Sequence, residues 1–124
     1  MTQPLALVVY EKLLPGTQLV NRLQDLNYRV QTVNDPGTLL TCALEEKPML
    51  VLADLNHTRQ NVSDAIGQLR QNPGTTHIPV IAFAPEFAGD MHNAALQAGA
   101  TLAVSEAAIL NHLPEYLERA LRVE

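Results

Sequence analysis

Met49-Leu50-Val51-Leu52-Ala53-Asp54-Leu55-Asn56 places five apolar residues directly before a carboxylate. Pro48 precedes the run and the polar stretch 56–61 follows it. So continuous an apolar run, closed by polar residues, predicts a strand covered on both faces and therefore a parallel sheet. In such sheets ligands bind beyond the carboxyl ends of the strands. Asp54 is thus the first candidate for a functional residue.

Four more apolar runs flank this one, at 5–10, 29–33, 80–84 and 101–104. Segments with helical spacing separate them. Leu19, Val20, Leu23 and Leu26 mark the first, and Leu39, Leu40, Ala43 and Leu44 the second. Val62, Ile66 and Leu69 mark the third, Ala94, Ala95 and Ala98 the fourth, and Leu113, Tyr116, Leu117, Ala120 and Leu121 the fifth. Asp35-Pro36 offers an N-cap followed by proline, Pro15 and Pro114 suit first helical turns, and Asn72-Pro73-Gly74 and Gly99 suit helix ends. Strand and helix alternating five times predicts one α/β domain over 1–124, a doubly wound, flavodoxin-like sheet of five parallel strands with five helices.

The first turn selects the strand order. Tyr10-Glu11-Lys12-Leu13-Leu14-Pro15-Gly16 holds one glycine, which is no cradle for a pyrophosphate. The order 2-1-3-4-5 is therefore expected, and it brings Glu11 and Asp54 to neighbouring strand ends. Two carboxylates sharing a mouth invite a cation or raise the pKa of one of them.

Composition limits the functional classes. A chain of 124 residues with 47% hydrophobic residues buries roughly two-thirds of its unfolded surface without metal or disulfide. The net charge of −5, the scattered eight Lys and Arg residues, 4% aromatic content and absence of tryptophan argue against a nucleic-acid partner. No apolar run approaches the roughly 20 residues of a membrane span, and a cytoplasmic location is expected. Cys42 lies among helix-spaced apolar residues and reads as a packed thiol. His57, His77, His92 and His112 match no zinc spacing and read as surface residues. Ser63-Asp64 reads as helix capping. Neither Gly-x-Ser-x-Gly nor a Cys-His arrangement occurs, so no hydrolytic enzyme is expected.

Three stretches carry a resemblance that spans nearly the whole chain: Gln68-Leu69-Arg70-Gln71-Asn72-Pro73, His77-Ile78-Pro79-Val80-Ile81-Ala82 and Ala95-Leu96-Gln97-Ala98-Gly99-Ala100. With Leu7-Val8-Val9-Tyr10-Glu11 and the run ending at Asp54, the chain resembles receiver domains of two-component response regulators. The resemblance implies a phosphorelay role. Asp54 stands at the phosphoacceptor position, and a magnesium ion would be held weakly by Glu11, Asp54 and the backbone carbonyl of Asn56. The implied partners are a histidine kinase or a downstream signalling protein.

Other positions depart from that pattern. Tyr10 replaces the first acid, Ala84 the hydroxyl residue after the fourth strand, Glu106 the lysine after the fifth, and Ala103 the aromatic residue on the fifth strand. No lysine follows Lys47, while Arg59 offers a positive charge near Asp54 in sequence. The expectation is a pseudo-receiver that is degenerate at its phosphorylation site. It would act through the face of its fourth helix, fifth strand and fifth helix rather than through catalysis. The alternatives are a functional receiver phosphorylated on Asp54, and a small flavodoxin-like enzyme or ligand binder using the same mouth. Asp54 also has a plainer reading as a turn residue at a strand end, and Glu11 as a solvated loop charge.

Overall fold

The structure, a computed structural model, describes residues 4–10, 13–33, 35–55, 62–85 and 89–121. Its elements run β1 (Leu5–Val9), α1 (Leu13–Asp25), β2 (Arg29–Val33), a 3-10 turn (Pro36–Thr38), α2 (Leu39–Glu46), β3 (Leu50–Asp54), α3 (Val62–Gln71), β4 (Val80–Ala84), α4 (Gly89–Ala98), β5 (Leu102–Ser105), α5 (Glu106–Asn111) and α6 (Leu113–Leu121). The five strands form one parallel sheet in the order β2-β1-β3-β4-β5, as the first turn implied.

Every residue of β1, β3 and β4 is buried, which is why these segments read as unbroken apolar runs. Pleating divides their side chains between two layers. Leu7, Val9, Val51, Ala53, Val80 and Ala82 pack with residues of α2, α3 and α4. Ala6, Val8, Leu50, Leu52, Ile81 and Phe83 pack with Leu19 and Leu23 of α1, Ile109 of α5 and Leu113 and Leu117 of α6. Each fully buried large aliphatic side chain stabilises the fold by about 1.5–3 kcal/mol relative to leaving it in water. The helix stripes agree except at Leu26, Leu44 and Ala94, which are exposed. No helix among the described residues is long and apolar enough to cross a membrane.

Among the described residues six α-helices stand where five were expected: the expected last helix is α6, with Pro114 in its first turn, and the short α5 before it is additional, the two being separated at His112. Pro114 has no N–H to donate to the carbonyl of Leu110, and its ring crowds that carbonyl. Helix α5 therefore closes with the His112 N–H donating to the Ala108 carbonyl at 2.8 Å. Helix α6 then restarts with the Tyr116 N–H donating to the His112 carbonyl at 3.1 Å. Asp35 does cap, but it caps the 3-10 turn, its Oδ1 accepting from the Gly37 N–H at 2.9 Å.

Arg70 ties the far end of the α3/α4 layer together. Its Nε donates to the Gly99 carbonyl at 2.6 Å, its Nη1 to the carbonyls of Thr76 and Ile78 at 2.7 Å each, and its Nη2 to Thr101 Oγ1 at 3.3 Å. Thr101 Oγ1 also accepts from the Val80 N–H at 3.1 Å, which joins this cluster to the start of β4. Burial pushes the Arg70 pKa down, and the charge-assisted hydrogen bonds offset that cost. Gly99 ends α4 at φ +118°, a left-handed conformation that strains residues with a Cβ.

Candidate functional site at the carboxyl end of the sheet

Parallel register brings the candidate residues to one rim. Val9 pairs with Ala53, so Tyr10 follows beside Asp54. Asp54 pairs with Phe83, Phe83 with Val104, and Ala84 with Ser105. Asp54 is two residues beyond Leu52, and pleating puts it on the same face, above the α1/α5/α6 layer. Tyr10, Phe83 and Val104 belong to that layer's apolar cluster. The last row of this face thus reads Tyr10, Asp54, Phe83, Val104, a carboxylate between two aromatic residues.

Asp54 is only 1% exposed. A buried carboxylate needs polar partners, and Asp54 is not without one. Tyr10, read from sequence as the loss of an acid, is half-buried against the apolar cluster, and its backbone N–H donates to the Val33 carbonyl at 3.2 Å. Ala84 is fully buried in the opposite layer and offers no hydrogen-bonding atom beyond its backbone.

The end of β5 is given over to starting a helix. Ser105 closes the strand and is the N-cap of α5, its Oγ accepting from the Ala108 N–H at 3.1 Å. Glu106 then occupies the first turn, where a negative charge meets the positive end of the helix dipole. A serine and a glutamate are therefore fixed where a long cation would have to begin, for local reasons of helix initiation.

Glu11 and Asn56 lie outside the described residues, as do His57, Thr58, Arg59 and Asn61. Of the expected magnesium ligands the described mouth supplies one, Asp54. Among the described residues no group of three or more His, Cys, Asp or Glu side chains could hold a metal ion. A hard divalent cation takes several oxygen ligands, and the described residues at this rim do not amount to such a set.

Other candidates separate from the mouth. Ser63 and Asp64 fall in the first turn of α3, and Cys42 is half-buried against the core. His77 and His112 are surface residues, His112 Nδ1 lying 3.6 Å from Glu115 Oε1. His92 departs from the expectation, since it is half-buried with an enclosed Nε2 that has no hydrogen-bond partner among the described residues. In the sequence Arg70 stands out only within a stretch that resembles receiver domains. The structure gives it a role, because its guanidinium joins its own stretch to the two others that carry the resemblance, through Ile78 and Gly99.

No family model matches the sequence, and no curated protein does. Solved structures do match, each over 97% of this chain. A chain from Chloroflexus aurantiacus described as a response regulator superposes with a TM-score of 0.89 at 17% identity, over 98% of its length. The receiver domain of a sensor histidine kinase from Pseudomonas aeruginosa, with a magnesium ion coordinated in its active-site cleft, gives 0.86 at 21% identity over 98% of its length. The chemotaxis response regulator CheY4 of Vibrio cholerae gives 0.84 at 20% identity over its whole length. At such identities the likeness is one of fold, and the fold is that of the receiver domains of two-component response regulators.

Proposed function

We propose that this chain is a pseudo-receiver, a non-enzymatic cytoplasmic signalling module that acts by binding a protein partner without phosphorylation of Asp54. The observation that carries this reading is the 1% exposure of Asp54 within a row that Tyr10 and Phe83 flank. In-line phosphoryl transfer needs the attacking carboxylate, the incoming phosphoryl group and charge-neutralising groups assembled together. Here the carboxylate is enclosed, the position of the hydroxyl residue is Ala84, and that of the lysine is Glu106.

The docking face would be α4, β5 and the last helix, α6. Met91 and Leu96 on α4 are 39% and 48% exposed, and all four residues of the edge strand β5 are only partly buried. A histidine kinase or a downstream signalling protein suits that face, while the acidic balance of the chain disfavours nucleic acid. Intact-mass analysis after incubation with acetyl phosphate and magnesium tests the reading. It predicts no added phosphoryl mass, and stoichiometric modification lost in Asp54→Asn overturns it.

A functional receiver with weakly held magnesium is the second reading. It is favoured by the position of Asp54 at the end of β3, beside β1, where the strand order reverses. A calorimetric magnesium titration of the wild-type chain and Asp54→Asn separates the two, since only this second reading predicts a difference between them.

A further inference from the structure

A groove lies between α1 and the α5–α6 junction. One lobe, of about 350 Å³, is lined by Gln18, Asn21, Arg22, Asp25, Leu110 and Asn111. The adjoining lobe, of about 130 Å³, shares Arg22, Asp25 and Leu110 and adds Leu26, Leu113 and Pro114. Pro114, in the first turn of α6, is therefore also part of the groove's wall. Helix α1 runs back from the carboxyl end of β1, so Arg22 to Leu26 sit near the amino ends of the strands, away from the mouth.

The chemistry of the two lobes differs. The larger is lined by three amides, one charge of each sign and Leu110, whereas the smaller adds only aliphatic surface and a proline. Arg22 and Asp25 stand three residues apart on one helix, a spacing that permits an ion pair. Even so, their side chains form none with each other, and neither side chain has another hydrogen-bond or ion-pair partner among the described residues. A guanidinium is a bidentate donor for a carboxylate, a carboxylate accepts from an ammonium, and Leu26, Leu110, Leu113 and Pro114 would receive a short aliphatic chain. Pockets for small molecules commonly combine an apolar surface with a few polar groups that fix orientation.

We propose that this groove binds a small zwitterion with a branched aliphatic side chain, an α-amino acid of the leucine type, its carboxylate on Arg22, its ammonium on Asp25 and its side chain in the lobe walled by Leu113 and Pro114. The site is separate from the Asp54 rim and independent of the reading given for that rim. Its occupancy would bridge α1 to the α5–α6 break.

The test is an NMR titration of the isotope-labelled full chain with L-leucine, N-acetyl-leucine, leucinamide and glycine. The acetylated and amidated compounds also represent the two ends of a peptide, so they separate a free amino acid from a chain terminus. L-leucine is expected to shift amides of α1 and of the α5–α6 junction saturably, with a Kd of about 1 mM, typical for a ligand of this size. The two singly charged analogues are expected to bind about 1.5- to fivefold more weakly, as loss of one exposed charge pair implies, and glycine more weakly still. Arg22→Gln and Asp25→Asn should each weaken L-leucine while leaving the rest of the spectrum in place. Absence of saturable shifts in the groove, equal affinity for all four compounds, tighter binding of either analogue, or undiminished binding to Arg22→Gln would overturn the proposal.

Discussion

Substituting Gly99 by alanine loads two faults onto one methyl group. The first is conformational: at φ +118° a residue with a Cβ is held in a sparsely populated region, at a cost of about 1–3 kcal/mol. The second is steric, because the new Cβ would overlap Cγ of Arg70 and press on its Cδ and Nε. The stem of Arg70 cannot swing away freely, since its head donates to three carbonyls and a hydroxyl. Giving up one charge-assisted hydrogen bond adds about 1.5 kcal/mol, so Gly99→Ala should cost about 2.5–4.5 kcal/mol in all. That is a large part of the 5–15 kcal/mol typical of a domain's total stability. Urea denaturation of the wild type, Gly99→Ala, Arg70→Ala and the double variant measures it. The overlap with Arg70 predicts a smaller cost for Gly99→Ala in the Arg70→Ala background, by about 1.5 kcal/mol. A cost below about 1 kcal/mol would refute the argument from φ, and equal costs in the two backgrounds would refute the argument from overlap.

Three further expectations share the same assay. Gly67 lies inside α3, and a Cβ there would meet nothing within 4 Å, so Gly67→Ala should stabilise by about 0.5–1 kcal/mol; a loss of stability would contradict the open space. Ser105→Ala removes the N-cap of α5 and should cost about 1 kcal/mol, with Ser105→Asp restoring most of it and Ser105→Ala alone being neutral as the contrary result. Burial raises the Tyr28 pKa, so the folded state disfavours the phenolate. The stabilising preference for the neutral phenol is complete below the unfolded pKa of about 10 and is lost as pH rises through the higher folded value. Tyr28→Phe should flatten that alkaline decline, and an unchanged pH profile would count against it.

The sheet was legible because burial writes itself into β1, β3 and β4 as unbroken apolar runs, and the lack of a glycine-rich first turn selected the strand order. Helix ends were less so. Asn27 and Lys47 take positive φ of 69° and 50° without the glycine that announces such turns, and Pro114 was visible as the starter of the last helix whereas the short α5 before it was not. At the rim, residue types could be placed in register, yet the enclosure of Asp54 depends on the pleat bringing Tyr10 and Phe83 to its two sides, a relation between three strands. Arg70 was hidden for the same reason, its partners lying up to 31 positions away in sequence. The half-burial of His92 likewise depends on the packing of α4 against its neighbours.

The central proposal, that Asp54 stands at a phosphoacceptor position but is not phosphorylated, is tested most directly with a fluoroberyllate–magnesium analogue of the acyl phosphate, titrated into the labelled chain. The amides of Leu55, Ala84 and Ser105, at the ends of β3, β4 and β5, are the reporters. The account predicts no saturable shift at any of them. A saturable shift in the wild type that disappears in Asp54→Asn would contradict it.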